Sequence, residues 1–225
     1  EIIVKSAVRV LKKKNLTGKV FLITSGATRE YIDDIRFISN PSSGKTGYYL
    51  ALEAVNRGAK VVFITGKSSY IPERCIIKNV ESAGDMLDAF RKHAAAADVI
   101  IGAAAVGDFA ARRVKGKIKR VKEINIKLEP TKDIMAEAGR MKGNKVLVGF
   151  SAETKKKKTN VMEKIRAKNL DYLVYNRVSS KGEGFESDEN KITIFDKKGK
   201  ELFKGRGSKA SLAERIIDLA EKTVK

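Results

Sequence analysis

The chain has 225 residues, 42% of them hydrophobic, and its 47 Lys and Arg outweigh 27 Asp and Glu for a formal charge of +20. That length can bury a substantial core as one domain, while its most apolar runs, Val20–Ile23 and Val99–Ala105, fall far short of the roughly 20 residues that cross a bilayer. The acidic start lacks the basic and apolar regions of a secretion signal, and the single Cys75 cannot form an internal disulfide or a Cys/His zinc cluster, so the expectation is a cytoplasmic protein with no membrane segment.

In chain order, Glu1–Asn15 reads as a peripheral helix and tether. Five short apolar runs follow, near Val20–Ile23, Val61–Ile64, Val99–Ile101, Val146–Val148 and Tyr172–Val174, each suited to a strand buried on both faces. Helical patterns separate them. Tyr48, Ala51, Leu52 and Val55 share one helical face, with Gly58 placed to end the helix. Asp85–Ala97, Ile134–Met141 and the lysine-rich Thr154–Lys168 supply further helices. The alternation predicts an α/β fold with a Rossmann-like, doubly wound, mainly parallel sheet. Ile124, Ile126 and Leu128 alternate with polar residues and read as a half-buried antiparallel flap. Ile192–Phe195 and Glu201–Phe203, joined by a turn over Asp196–Lys200, read as a hairpin. A closing helix starts at a Ser208 cap, with Leu212, Ile216 and Leu219 on one face.

Chemistry concentrates in a few segments. After the first strand, Thr24–Glu30 and Ile35–Gly47 form an unusually long connection at the end of a parallel strand, where such folds place ligands. Gly44 and Gly47 permit close backbone approach, and Ser42, Ser43 and the free amides of a helix start can donate to phosphate oxygens. Gly44-Lys45-Thr46 is not a Walker A loop, because its required first glycine would fall at Ser39. The glycine fingerprint of a dinucleotide site is also missing from the first turn, which disfavours a nicotinamide oxidoreductase. Gly102–Ala105 offer a floor of small residues for a flat base or sugar, and Asp108 an acceptor, though an Asp capping a turn fits that pattern equally well. Lys117 and Lys119 alternate toward one face, where a solvated basic strand is the simpler reading, and Lys164 and Lys168 are four apart on one helix. His93 stands among alanines with no Ser, Cys or second His in suggestive spacing, which removes the usual participant of triad or His-metal catalysis.

Together Thr24–Glu30, Arg36–Asn40, Ser42–Lys45, Ala104–Asp108, Lys117–Lys119, Val148–Thr154 and Gly184–Asp188 resemble the phosphopantothenoylcysteine synthetase family, the second half of a bifunctional coenzyme A biosynthesis protein. The resemblance implies a ligase that joins 4′-phosphopantothenate to cysteine through an acyl-cytidylate, using CTP and Mg²⁺ with no FMN, as a homodimer. An ATP-using version of the same ligase is the alternative within the family. It also implies residues 1–16 as the remnant of a connector to a flavin decarboxylase half and 17–225 as the ligase domain. By the same resemblance Asn40 and Lys117 are catalytic, and Asn40, Ser42, Ser43, Gly44 and Lys45 bind substrate. The nucleotide would meet Gly26, Gly102, Ala103, Ala104, Asp108, Lys117, Lys132, Asp133, Ile134, Met135, Phe150, Lys164 and Lys168. Metal ligands stay unassigned. Thr131-Lys132 and Gly107 depart from the bacterial pattern of that family.

The competing class is a nucleic-acid-binding protein driven by positive charge. No RNA- or DNA-recognition motif accompanies that charge, Trp is absent and Tyr numbers only six, so few rings are available to stack on bases. The chain has no Gln and is rich in Lys and Glu, a composition found in heat-adapted proteins that accounts for much of the lysine. The expectation is therefore no specific nucleic acid.

Overall fold

The computed structural model describes residues 12–120, 122–153, 158–177 and 188–224. Glu1–Leu11, most of the lysine run Lys155–Lys158 and residues 184–187 of the last motif lie outside the described residues.

The elements run β1 (Val20–Ser25), β2 (Arg29–Tyr31), β3 (Phe37–Ser39), α1 (Lys45–Asn56), β4 (Lys60–Thr65), β5 (Ile76–Asn79), α2 (Ala83–Ala94) and β6 (Val99–Gly102). They continue with β7 (Phe109–Ala111), β8 (Leu128–Pro130), α3 (Ile134–Arg140), β9 (Val146–Glu153), α4 (Lys158–Ala167), β10 (Tyr172–Arg177), β11 (Glu189–Asp196), β12 (Glu201–Ser208) and α5 (Lys209–Thr223). One eight-stranded sheet has the order β12-β11-β10-β9-β6-β1-β4-β5. From β5 to β10 the pairs are parallel, and β11 and β12 add to β10 antiparallel. This is the mainly parallel, doubly wound α/β architecture expected from the apolar runs.

Alternation along β1 divides the core. Phe21 and Ile23 face α1 and α5 with Leu50, Phe63, Leu212 and Ile216. Leu22 faces the opposite layer with Ile64, Met86, Phe90, Leu147 and Ile165. Both faces are covered, so the inner strands must be apolar throughout rather than alternating.

Local signals set the helix ends. Gly58, at φ 93°, ends α1: its amide bonds the Val55 carbonyl at 3.0 Å and the Ala59 amide bonds Ala54 at 3.0 Å, a left-handed stop that suits glycine. Ser82 and Asp85 cap α2 reciprocally. Ser208 accepts from the Ser211 amide at 3.1 Å and caps α5 as expected. In the β11–β12 turn the Asp196 carboxylate accepts from the amides of Lys198 and Lys200, each at 2.9 Å.

Three expectations change. The buried residues of α1 are Gly47, Leu50, Ala51, Glu53 and Ala54, so of the expected Tyr48, Ala51, Leu52 and Val55 only Ala51 is among them. The cause is its first turn: a Cβ on Gly47 would run into the Ser25 side chain, so only glycine lets the helix lie this close to β1 and present that face. The edge strand β5 and the β2–β3 hairpin inside the long connection were not anticipated. Of the flap, among the described residues only Leu128–Pro130 forms a strand, paired with β7, and Ile124, Ile126 and Leu128 are exposed rather than half-buried because no described element covers them.

Candidate functional site: a cleft at the carboxyl end of the sheet

From β1 the chain crosses to β4 on one side, and from β6 it crosses to β9 on the other. The carboxyl ends of β1 and β6 therefore flank the reversal of strand order, which opens a crevice in such sheets. A cleft of about 530 Å³ lies there, between the N-terminus of α1, the loop after β6, the ends of β9 and β10, and the start of α5. That volume suits a small-molecule ligand.

The loop after β6 is fixed from below. The Gly107 amide donates to Thr28 Oγ1 at 2.8 Å, Thr131 Oγ1 donates to the Gly107 carbonyl at 2.6 Å, and the Ala105 amide donates to the Gly26 carbonyl at 2.8 Å. On this loop Ala103, Ala104 and Asp108 line the cleft. Asn40 reaches it from the β3 side, where its Nδ2 donates to the Val106 carbonyl at 3.1 Å. Ser42, Ser43, Gly44 and Lys45 form the opposite wall at the start of α1. Phe150 on β9 contributes an aromatic face, and Met135, Lys164 and Lys168 close that end. Lys164 donates to Ser151 Oγ at 2.7 Å, and Lys168 pairs with Asp133 at 2.8 Å. Burial works against an ionised Asp133, but Lys168 and the amides of Ala136 and Met135 hold its carboxyl below the ordinary range.

The remaining expected residues fall elsewhere. Gly26 is a left-handed hinge, φ 71°, packed against the Lys67 and Gly66 carbonyls, so its glycine serves the turn rather than a ligand. Gly102 abuts the Met135 side chain, which a Cβ there would strike. Ile134 is buried in the core, Asp133 is the cap of α3, and Lys132 is exposed and does not line the cleft. Lys117 does not share the cleft with Asn40 and Asp108. It borders a separate shallow depression with Arg36, Lys119, Arg120 and Ile124. The explanation for Gly44 and Gly47 also shifts, because added Cβ atoms would meet Ser68 and Ser25 rather than a ligand.

The segment that carries Lys117 is tied down by two acids. Asp33, fully buried, accepts from the amides of Arg36 at 2.7 Å, Ile35 at 2.8 Å and Ile118 at 3.1 Å, while Asp34 accepts from the Gly116 amide at 2.7 Å. The Arg36 amide foremost, then those of Ile35 and Ile118 working against burial, lowers the Asp33 pKa. A depressed carboxyl stabilises the fold above its unfolded pKa, near 4, and that contribution disappears as pH falls through the lower folded value. Hydrogen exchange at the Gly116 and Ile118 amides should therefore accelerate selectively below about pH 4, and Asp33→Asn should reproduce the acceleration at the Ile118 amide at neutral pH. Unchanged protection in that variant would refute the tether.

Sequence reasoning missed Asn176, Asn190 and Lys209, which line the inner end of the cleft. Asn176 Oδ1 is buried without a hydrogen-bond partner among the described residues, a donor requirement that a ligand can meet. An asparagine at the end of an apolar strand run was the available signal. Cys75 has no place in the cleft, and burial pushes its thiol up to about 12. Among the described residues no group of three or more His, Cys, Asp or Glu is placed to hold a metal ion, and no helix is long and apolar enough to cross a membrane.

The model of the family described as the DNA/pantothenate metabolism flavoprotein C-terminal domain matches residues 16–223. The chain belongs to that family. It is 42% identical over 188 residues to the coenzyme A biosynthesis bifunctional protein CoaBC of Bacillus subtilis, covering 82% of this chain and 46% of the relative. It is 41% identical over 207 residues to a cysteine/cysteine sulfinic acid decarboxylase of an unknown prokaryote, covering 88% of this chain and 58% of the relative. The chain thus spans about half the length of the curated relatives it matches. Among solved structures, the C-terminal domain of CoaBC superposes with a TM-score of 0.78 at 36% identity, covering 93% of this chain and 97% of that one. A Streptococcus pneumoniae DNA/pantothenate metabolism flavoprotein shares the fold, with a TM-score of 0.76 at 19% identity, covering 91% of this chain and 99% of that one.

These descriptions correct the sequence expectation. They name a flavoprotein domain, a bifunctional coenzyme A protein and a decarboxylase, and none names a CTP-dependent synthetase. The synthetase-family assignment, the CTP-dependent ligase reaction with its 4′-phosphopantothenate and cysteine substrates, and the cofactor set of CTP and Mg²⁺ without FMN are therefore withdrawn. The kinship to the C-terminal half of a bifunctional coenzyme A protein stands. The family's description raises a flavin, and the cleft fits the features a flavin mononucleotide shares with other mononucleotides: Phe150 for a planar ring, Lys164 and Lys168 for phosphate, and Asn176 Oδ1 for a hydroxyl.

Proposed function

We propose that this domain binds a phosphate-bearing ligand with a planar ring, of the mononucleotide class, as part of a step in coenzyme A biosynthesis. The observation that carries this reading is the convergence of Phe150, Lys164, Lys168 and the amide-rich start of α1 on one cleft of about 530 Å³. A ring can lie on Phe150 with edge or offset contact. Ammonium groups and helix-start amides neutralise phosphate charge more effectively in a partly dried cleft than in water. Asn40 and Asp108 sit between these ends and orient polar groups of the ligand. The coenzyme A context comes from the named relatives. Lys117 takes no part in this reading within one chain.

Calorimetric titration tests it with FMN and with nucleoside mono- and triphosphates, each beside its dephosphorylated counterpart. One phosphorylated compound should bind, its dephosphorylated form at least about tenfold more weakly. Lys164→Ala with Lys168→Ala should weaken binding by at least about 10- to 100-fold, since the loss of even one charge-assisted contact costs about 1.5–3 kcal/mol. The double variant should keep its thermal midpoint within a few degrees, because its Lys168–Asp133 pair is partly exposed. Absence of binding across the whole set would end the proposal, and the compound that binds separates flavin from other nucleotides.

A further inference from the structure

Asn176 sits near the end of β10, at a position where the sheet calls for an apolar side chain. Two residues earlier on the same face, Val174 is fully buried in the layer under α1 and α5. The cross-sheet partners of Asn176 are Ala152 on β9 and Ile192 on β11. Ile192, Leu212, Ala213 and Ile216, which line the cleft beside it, are all buried and apolar. A leucine would complete that face. Instead Asn176 Oδ1 is, among the described residues, the one buried side-chain oxygen or nitrogen with no hydrogen-bond partner. Other polar groups of the cleft are engaged: Lys164 with Ser151, Lys168 with Asp133, and Asn40 with the Val106 carbonyl.

An acceptor that folding has already stripped of water gains nearly the whole of a new hydrogen bond when a ligand supplies the donor. The χ2 torsion of an asparagine is broad, so a modest turn of the amide carries Oδ1 toward the cleft. Phe150 pairs with Val174 and packs on the same layer, so strand and residue spacings put its Cα roughly 8 Å from that of Asn176. A ring resting on Phe150 therefore brings the sugar or sugar-alcohol chain attached to it within reach of Asn176. We propose that Asn176 is a specificity-determining residue whose Oδ1 accepts from a hydroxyl on the chain between ring and phosphate, and so selects hydroxylated ligands over their deoxy forms. This rests on the reading of the cleft as a site for a ring-and-phosphate ligand, and it adds the feature by which that site tells one such ligand from another. It also gives a reason for an unpaired amide among apolar neighbours, which lowers the stability of the unliganded domain and which folding alone would not favour.

Calorimetry on the whole chain is the test, with the 5′-monophosphates of adenosine, cytidine, guanosine and uridine beside their 2′- and 3′-deoxy forms, and FMN beside its 2′-, 3′- and 4′-deoxy forms. The parent compound that binds should lose about tenfold or more in affinity when one particular hydroxyl is removed. Asn176→Leu, which keeps the branched shape without an acceptor, should bind that parent and its deoxy form within about threefold of each other, with a thermal midpoint unchanged or raised. Asn176→Asp, which keeps an acceptor oxygen in place, should retain the wild-type preference. In the wild type the carbon resonance of Asn176 Cγ should move markedly further with the parent than with the deoxy form, which decides the matter even if Asn176→Leu does not fold. Equal affinity of the wild type for the parent and every deoxy form, a preference that survives in Asn176→Leu, or a Cγ resonance indifferent to the hydroxyl would each overturn the assignment. Those outcomes defeat this inference alone, whereas no binding by any parent compound defeats the ring-and-phosphate reading and this inference with it.

Discussion

Phe90→Ala is expected to destabilise the fold by about 3–5 kcal/mol. Phe90 is completely buried on the core face of α2, in the same layer as Leu22, Ile64, Met86 and Ile100. Truncation removes the transfer free energy of a whole ring and leaves a void, since rigid strands on one side and a helix on the other cannot collapse to fill it. The loss should appear as a lower urea midpoint with an unchanged slope. Phe90 does not line the cleft, so the folded variant should bind the cleft's ligand as the wild type does. A loss below about 1 kcal/mol would mean that α2 is not packed as described.

Arg57→Met is the second large effect. Arg57, with a side chain 11% exposed, bonds Glu53 at 2.8 Å, Asp218 at 2.7 Å and Glu221 at 2.7 Å, joining the end of α1 to α5. Burial acts against the Arg57 charge, but the carboxylates of Glu221, Asp218 and Glu53 outweigh it and raise its pKa. Removal leaves a group of like charges, of which Glu53 keeps, among the described residues, only Lys12, at 2.6 Å. An abandoned buried partner costs about 3–5 kcal/mol, and the exposure of Asp218 reduces this to about 2–3 kcal/mol. In the wild type burial works to raise the Glu221 pKa, and the Arg57 bond brings it below the ordinary value. Without Arg57 these carboxyls lose the cation that favours their charged form, so protonation relieves the repulsion. The deficit of the variant should therefore be largest at neutral pH and shrink as pH falls below about 5. Parallel stability curves for the two proteins from pH 8 to about pH 4 would contradict a charge-based role.

Much of this architecture was legible in advance for a reason particular to parallel sheets. Val20–Ile23, Val61–Ile64 and Val99–Ile101 are continuous apolar runs, and only strands covered on both faces need them. Ser208 and Gly58 announced helix ends because capping and left-handed stops depend on few residue types. The face of α1 was misread because its closest approach is set by Gly47 against Ser25, a contact between distant segments that periodicity does not contain. Within the site, Asn40, Ser42–Lys45, Asp108, Phe150 and the Lys164/Lys168 pair do converge. Lys117 does not, since the acids Asp33 and Asp34 anchor its segment beside the β2–β3 hairpin. Asn176 and Lys209 escaped notice because one ends an ordinary strand and the other is one lysine among many in the chain, and only the fold brings them together. The reaction named from the resemblance did not survive comparison with the family's own description and relatives.

The outermost strand, β12, carries Lys204 and Arg206 as exposed side chains alternating with Gly205 and Gly207. Any second chain docking there by main-chain hydrogen bonds would bring its own copies of those cations alongside, and the glycines offer it no side chains to grip. The antiparallel extension therefore closes the growing side of the sheet with charge, and concentrated solutions of this strongly cationic protein should resist fibre formation from that margin.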